Sequence, residues 1–313
     1  MPQLGQVHID QPLTNVSIRY ANDSYIGEVV APAIPIDKRS GKIFVYGEQN
    51  LKVVEARRAP GSKAAEVDYS MGTPLSFNAE ERALSDVVTD AEVRIADDPL
   101  KPEVDTTMFL TDRLKLILEN DISADLTNTS LVTQNVALAG TTQWSDYTNS
   151  VPLTNIATAK KTIRPNIIRP ANTFLVPWEV AVTLADHPSL KDLIKYTDPR
   201  ALMESDLPPT VRGLRIVEAM TIQNTANEGQ TVSLSAMWGK NALILYVNPR
   251  PAVRDVATFV LLDAPDDTTG ARGFSVRRWR DDARKGDMVE VSRTYDLQFF
   301  QANGAYLYTS AIA

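Results

Sequence analysis

Apolar positions along the chain fall into three textures, and the clearest is a helical stripe. Between Pro99 and Asn128, Leu110, Leu114, Ile117, Leu118, Ile122 and Leu126 recur mostly at steps of three and four, which places them on one face of a helix. Asp112, Arg113, Lys115, Glu119, Asn120 and Asp125 fall mostly off that face. Asp98 before Pro99 suits an N-cap followed by proline at the first helical position. Glu103 and Asp105 put negative charge where the helix dipole favours it, and Asn128-Thr129-Ser130 forms a stop. The helix expected over about 99–128 would span roughly 40 Å.

Before the stripe the apolar residues are sparse and broken. Residues 1–24 are polar and mixed, and read as an arm, either disordered or tied down by another chain. Residues 25–36 are apolar but cut by Pro32 and Pro35, which suits extended, edge-like structure. Ser40-Gly41 signals a turn, residues 42–47 a short strand, and Arg57-Arg58-Ala59-Pro60-Gly61 a loop tip. Glu66-Val67-Asp68-Tyr69 alternates like a half-solvated strand. Residues 40–75 therefore read as a long two-stranded excursion with too few apolar side chains for a core of its own; an isolated hairpin is marginal in water, so this one must rest on something else. Residues 77–97 alternate loosely and lead into the helix.

After the stripe the pattern tightens. Residues 129–152 are loop-like. Short helices are expected over 153–163, 179–186 and 189–196, and strands over 173–176, 213–219, 234–238, 242–247 and 256–262. The mixture indicates a compact α/β or α+β unit over about 153–265. The tail from 272 is β-like, with a turn at Lys285-Gly286-Asp287 and clear alternation in Val289, Val291, Tyr295, Leu297 and Phe299; it is expected to return to strands near the long helix.

Charge sharpens the reading of the excursion. Seven bases face two acids between Lys38 and Lys63, whereas eleven acids face three bases between Glu66 and Asp105. A basic block followed at once by an acidic one can guide head-to-tail association of identical copies; two unrelated solvated faces would give the same counts. A long helix, a segment with no core and segregated charge together describe a chain built to pack against copies of itself.

Totals narrow the chemistry. The 313 residues are 43% apolar and 23% charged, ordinary for a globular protein, and a net charge of −7 gives no global support to nucleic-acid binding. The absence of cysteine excludes disulfides and thiolate chemistry, and fits folding in a reducing cytoplasm. The N-terminus has no basic-then-apolar run of a signal peptide, and no stretch approaches the length of a transmembrane helix. Phosphate-binding and nucleophile-elbow motifs are absent. The two histidines are His8 in the arm and His187 before Pro188; the latter reads as a capping or surface residue more readily than as part of a Ser-His-Asp triad. The acid pairs Asp97-Asp98, Asp266-Asp267 and Asp281-Asp282 point apart on regular structure. Arg272, Arg277, Arg278, Arg280, Arg284 and Lys285 around Trp279 form the best nucleic-acid candidate, but Asp281, Asp282 and Asp287 interrupt it, and ion pairs between chains account for it equally well.

Several stretches taken together resemble the major capsid proteins of tailed bacteriophages, the Hong Kong 97-type fold shared by encapsulin shells. They are residues 139–156 with Gly140, Trp144-Ser145-Asp146 and Pro152; residues 172–196 with His187-Pro188; residues 31–47 with the tip at Arg57–Gly61; and Ile117–Asp121 of the long helix. The resemblance implies an α+β capsid fold. Its parts would be an N-terminal arm (1–24), an extended loop (40–75), a peripheral domain (25–39, 76–152 and 266–313) with a spine helix, and an axial domain (153–265) meeting its copies around five-fold and six-fold centres. It implies a shell protein, not an enzyme, assembling as pentamers and hexamers into an icosahedral shell around a phage genome. Interface residues would be Lys42, Lys52, Arg57, Arg58, Lys63, Glu66 and Asp68. Portal, scaffolding and decoration proteins would be further partners, scaffolding being a separate protein because the chain starts at its arm. Double-stranded DNA would be touched only non-specifically. No cofactor, metal or membrane is implied, and assembly would occur in the host cytoplasm before residence in the virion capsid. Alternatives are an encapsulin-like compartment, a tail or baseplate protein, and a hydrolase using carboxylates.

Overall fold

The computed structural model describes residues 22, 24–44, 52–67, 72–96, 101–194, 207–251, 255–266 and 272–313. Two sheets share one long helix. In chain order the elements are α1 (Gly27–Val30), β1 (Ala33–Pro35), β2 (Ser40–Ile43), β3 (Leu75–Asn78), β4 (Glu80–Thr89), α2 (Asp90–Ile95), α3 (Pro102–Leu126), β5 (Asn135–Ala137), α4 (Pro152–Ile167), β6 (Thr173–Pro177), α5 (Trp178–Ala185), α6 (Pro188–Ile194), β7 (Thr210–Val211), β8 (Leu214–Ala219), β9 (Ile222–Asn224), β10 (Leu234–Ala236), β11 (Ala242–Leu245), β12 (Phe259–Ala264), β13 (Ser275–Asp281), β14 (Gly286–Phe299) and β15 (Ala305–Thr309). The mixture is α+β.

The first sheet is organised by β14. Its residues 286–295 pair antiparallel with β4 on one edge, so β13 (against 286–292) and β12 (against 294–299) follow each other along the opposite edge. β1 extends the sheet, parallel to β12. The second sheet has the order β5-β15-β11-β6-β8-β7. Alternation divides its side chains between two faces. Phe174, Val176 and Ile244 meet Ile156, Ile163, Val180, Leu184 and Leu190 from α4, α5 and α6, around a fully buried Trp144. Leu175, Leu243 and Leu245 face the other way, onto Leu118, Ile122 and Leu126 of α3. The same cluster takes in Phe259, Leu261 and Tyr295 of the first sheet. Nearer its N-terminus α3 uses Leu110 and Leu114 to cover Val88, Val289 and Val291. One helix thus lies over both sheets.

The helix begins at Pro102, which takes the first helical position after Lys101; the expected Asp98-Pro99 start lies outside the described residues. The buried stripe advances by four through Leu110, Leu114, Leu118, Ile122 and Leu126. Ile117, expected on it, is 37% exposed, and Glu119, expected off it, is 1% exposed. Ser40-Gly41, expected as a turn, belongs to β2. Of the strand expected at 66–69, residues 66 and 67 are in no strand, and 68 and 69 lie outside the described residues. Residues 77–97 hold β4 and then α2, whose start is fixed by a capping box between Thr89 and Glu92.

Two strands pair across the expected domain divisions. β12, counted with 153–265, joins the sheet of β14. β15, counted with the tail, enters the second sheet between β5 and β11. β12 is buried at every position, so it carries no alternation from which its partner could be read.

Candidate subunit interface

The excursion has a bolted root and a bare tip. β2 and β3 pair with Ser40 opposite Asn78 and Ile43 opposite Leu75. Gly41 lies under Phe77, where a Cβ would come within 3.0 Å of the ring. Phe77 and Ile43 pack with Ile34, Ile36 and Phe300 against Val260 and Leu262. Asn78 N donates to Asp296 Oδ2 at 3.0 Å, and Ala79 N donates to the Arg39 carbonyl at 2.7 Å. Beyond the root, residues 52–67 are exposed throughout and include no strand. Val53 is 95% exposed and Val67 69%. The tip is a turn in which Ser62 N and Oγ donate to the Ala59 carbonyl at 3.1 and 2.8 Å, with Gly61 at φ +84°.

Of the expected interface residues, those within the described residues are all on this element. Lys42 is exposed on β2; Lys52, Arg57, Arg58, Lys63 and Glu66 are exposed beyond it; Asp68 lies outside the described residues. Arg57 pairs with Glu55 at 3.7 Å, Lys63 with Glu66, and Arg58 reaches the Ser62 carbonyl. Such solvated pairs contribute little to folding. They leave the basic surplus of the loop directed outward.

Sequence reasoning missed what fixes the segment following the arm. Glu119, buried on α3, accepts four hydrogen bonds. Ile26 N and Gly27 N donate to Oε2 at 3.0 and 2.6 Å, and Trp238 Nε1 and Thr221 Oγ1 donate to Oε1 at 2.8 and 3.2 Å. Burial pushes the Glu119 carboxyl above its usual range, against the opposing pull of Trp238 and the other donors. Tyr25 donates to Asp112 Oδ1 at 2.9 Å; burial, then this bond, pushes its hydroxyl up to about 12. Asn22 exchanges hydrogen bonds with the backbone of Ile222 at 3.2 and 3.1 Å. Arg293, buried over the Phe274 ring, reaches Glu28 at 2.6 Å and Asp263 at 3.3 Å. Asn22 and the residues from Ser24 to Glu28 are therefore fastened to α3, β9 and β14. The arm before Asn22, His8 included, lies outside the described residues.

The arginines of the tail's basic run pair within the chain. Arg280 takes Asp90 at 2.6 and 2.7 Å, holding that carboxyl below its usual range. Arg278 bridges Glu103 and Asp287, Arg277 pairs with Glu290, Arg272 with Asp37 and Arg284 with Asp281. Each of these arginines thus has an acidic partner within its own chain. His187 is buried rather than on the surface. Ser189 N donates to its Nδ1 at 3.2 Å, and Leu190 N and Lys191 N donate to its carbonyl, so it caps the start of α6. With Nδ1 accepting, Nε2 carries the proton and donates to Ser150 Oγ at 3.0 Å. The ring is thus held from both sides, which suits a capping role.

No family model matches the sequence. The chain is 25% identical over 250 residues to the major capsid protein of Burkholderia phage BcepMu, covering 79% of each. Its fold matches a phage-related protein from Bordetella bronchiseptica RB50 with a TM-score of 0.68 at 21% identity, over 96% of this chain and 97% of that one. It matches the capsid of cyanophage P-SCSP1u with a TM-score of 0.64 at 10% identity, over 98% and 91%. An encapsulin of Synechococcus elongatus PCC 7942 shares the fold more distantly, with a TM-score of 0.52 at 12% identity, over 96% and 94%. By sequence the chain is similar to a phage major capsid protein, and its fold is the Hong Kong 97-type fold of phage capsids.

Proposed function

We propose that this chain is a shell subunit that assembles with its own copies, as pentamers and hexamers, into an icosahedral capsid around a phage genome. The observation that carries the reading is the loop of 52–67. It exposes Val53 and Val67 and a surplus of positive charge, on a root packed firmly into its own subunit. Apolar and charged groups so presented are buried when another copy covers them. The loop, and the arm that leaves Asn22, would lie across neighbouring subunits. The second sheet with α4, α5 and α6 would serve as the axial unit, and the first sheet with α3 as the peripheral unit.

No catalytic role is proposed. Portal, scaffolding and decoration proteins would join the shell, and DNA would be contacted non-specifically inside the virion. Electron microscopy of the purified protein, after size-exclusion chromatography with light scattering, tests the reading. Closed shells, or rings of five and six, are expected. A protein that stays monomeric at high concentration with its scaffolding protein co-expressed would overturn it. The distant likeness to an encapsulin gives a second reading, a compartment holding an enzyme; protein cargo in place of DNA inside the shells would favour it.

A further inference from the structure

The hairpin of β9 and β10 turns its apolar face to solvent. Ile222 lies opposite Ala236, and Asn224 opposite Leu234. Thr221 and Met237 point inward and are buried, whereas Met220, Ile222, Val232 and Leu234 are exposed. Strand alternation puts Ile222 and Leu234 on one face, and a cluster of this kind marks a contact. The outer edge of β9 is open as well. Met237 N donates to the Thr221 carbonyl at 3.0 Å and Thr225 N to the Ser233 carbonyl at 2.9 Å. Alternation then turns the N–H and C=O groups of Ile222 and Asn224 away from β10. Among the described residues no further strand pairs with β9.

The same chain brings a segment to that edge. Asn22 stands where a ladder residue would: its Nδ2 donates to the Ile222 carbonyl at 3.2 Å, and its Oδ1 accepts from Ile222 N at 3.1 Å. Thr221 Oγ1 meets the Ser24 carbonyl at 3.5 Å. Going back from Ser24 to Asn22 therefore means going forward from Thr221 to Ile222, an antiparallel course that leads next to Asn224. The residues next in line, outside the described ones, read Val16-Ser17-Ile18-Arg19-Tyr20-Ala21. They alternate apolar and polar and include no proline, as a strand on a half-covered face does. We propose that Ile18–Ala21 adds to the outer edge of β9 of its own chain as a third, antiparallel strand, with Tyr20 opposite Asn224. Main-chain hydrogen bonds would join Tyr20 to Asn224. Ile18 and Tyr20 would lie on the face of Ile222, Val232 and Leu234, and Arg19 on the other face, opposite Thr225. The two bonds of Asn22 favour this segment over one from a second copy, because it is already held at the edge and its pairing is intramolecular. The pairing is independent of the shell reading. It fixes where the free arm begins, before Ile18 and not at Asn22.

Paired cysteines test it in the unassembled full chain, which has no cysteine of its own. Arg19→Cys with Thr225→Cys places two thiols on a non-hydrogen-bonded pair, where Cα atoms lie about 4.5 Å apart, a separation that a disulfide spans. Mild oxidation should link them within one chain, read as a monomer on a non-reducing gel and as one linked peptide by mass spectrometry. Tyr20→Cys with Thr225→Cys puts the thiols on opposite faces and should stay unlinked. No link in the first pair, a link between two chains, or equal linkage of both pairs would overturn the proposal. Independently, hydrogen exchange of the unassembled wild-type subunit should show a protected Asn224 amide. Ile18→Asp with Tyr20→Asp should abolish that protection while α3 keeps its own. An Asn224 amide that exchanges freely in wild type, or one that the double variant leaves protected, would overturn the pairing even if the cysteine variants fail to fold.

Discussion

Glu119 Oε2 lies 2.6 Å from Gly27 N, close enough that the glycine is required as well as the acid. A Cβ on Gly27 would come within 2.8 Å of Ile122 Cδ1 and 2.9 Å of Glu119 Oε2. Space, not backbone conformation, sets the demand. The contact joins residues 92 positions apart, and it fastens the segment after the arm to the helix shared by both sheets.

Gly27→Ala should therefore destabilise the subunit by about 1–3 kcal/mol, as overpacking does. Urea unfolding of the unassembled subunit measures it. An unchanged midpoint would mean that the segment yields without cost and does not act as a fastening.

Glu119 also predicts a pH dependence. Its folded carboxyl sits above the usual range because of burial, and an unfolded glutamate titrates at about 4.3. The native state therefore binds the proton more tightly, and this group's contribution to stability falls as pH rises through the window above about 4.3. Relative to Glu119→Gln, wild type should lose ground between about pH 4 and neutrality. Urea midpoints of both proteins across that window check it; a constant gap, or one that moves the other way, would contradict the assignment.

On the same helix, Leu114 is 3% exposed and packs against Val88 and Val289. Leu114→Asp would place an unpaired charge there, at a cost of several kcal/mol, and should abolish soluble folding. Recovery of a folded protein by circular dichroism would mean that this part of the stripe is not core.

Reversal of Arg57 and Arg58 to glutamate should leave melting of the isolated subunit unchanged. Arg57 is solvated, and its pair with Glu55 contributes at most about 1 kcal/mol. Assembly, read by light scattering and electron microscopy, should fail. Normal shells from this variant would remove charge from the account of how subunits meet.

The long helix and the exposed loop were legible because both depend on local pattern. Leu110, Leu114, Leu118, Ile122 and Leu126 repeat at one spacing, and Lys38 to Lys63 concentrates charge where apolar residues are few. Glu119 was not legible. A single acid beside a stripe reads as solvated unless its distant donors, Trp238 and Gly27, are known. A signal was available: Glu119 and Ser123 flank Leu118 and Ile122 on the face that a step of four buries. The partners of the tail arginines were hidden for the same reason. Asp90, the partner of Arg280, lies 190 residues away. β12 shows the limit of periodicity, since a strand buried on both faces does not say which sheet it enters.

The two sheets exchange strands along the chain. β12 returns to the first after five strands of the second sheet (β5, β6, β7, β8 and β11), and β15 then goes back to the second between β5 and β11. Any single cut in the chain leaves at least one sheet with strands on both sides of the break. Neither layer can be lifted out and replaced as a module, so variation by recombination has to trade whole subunits.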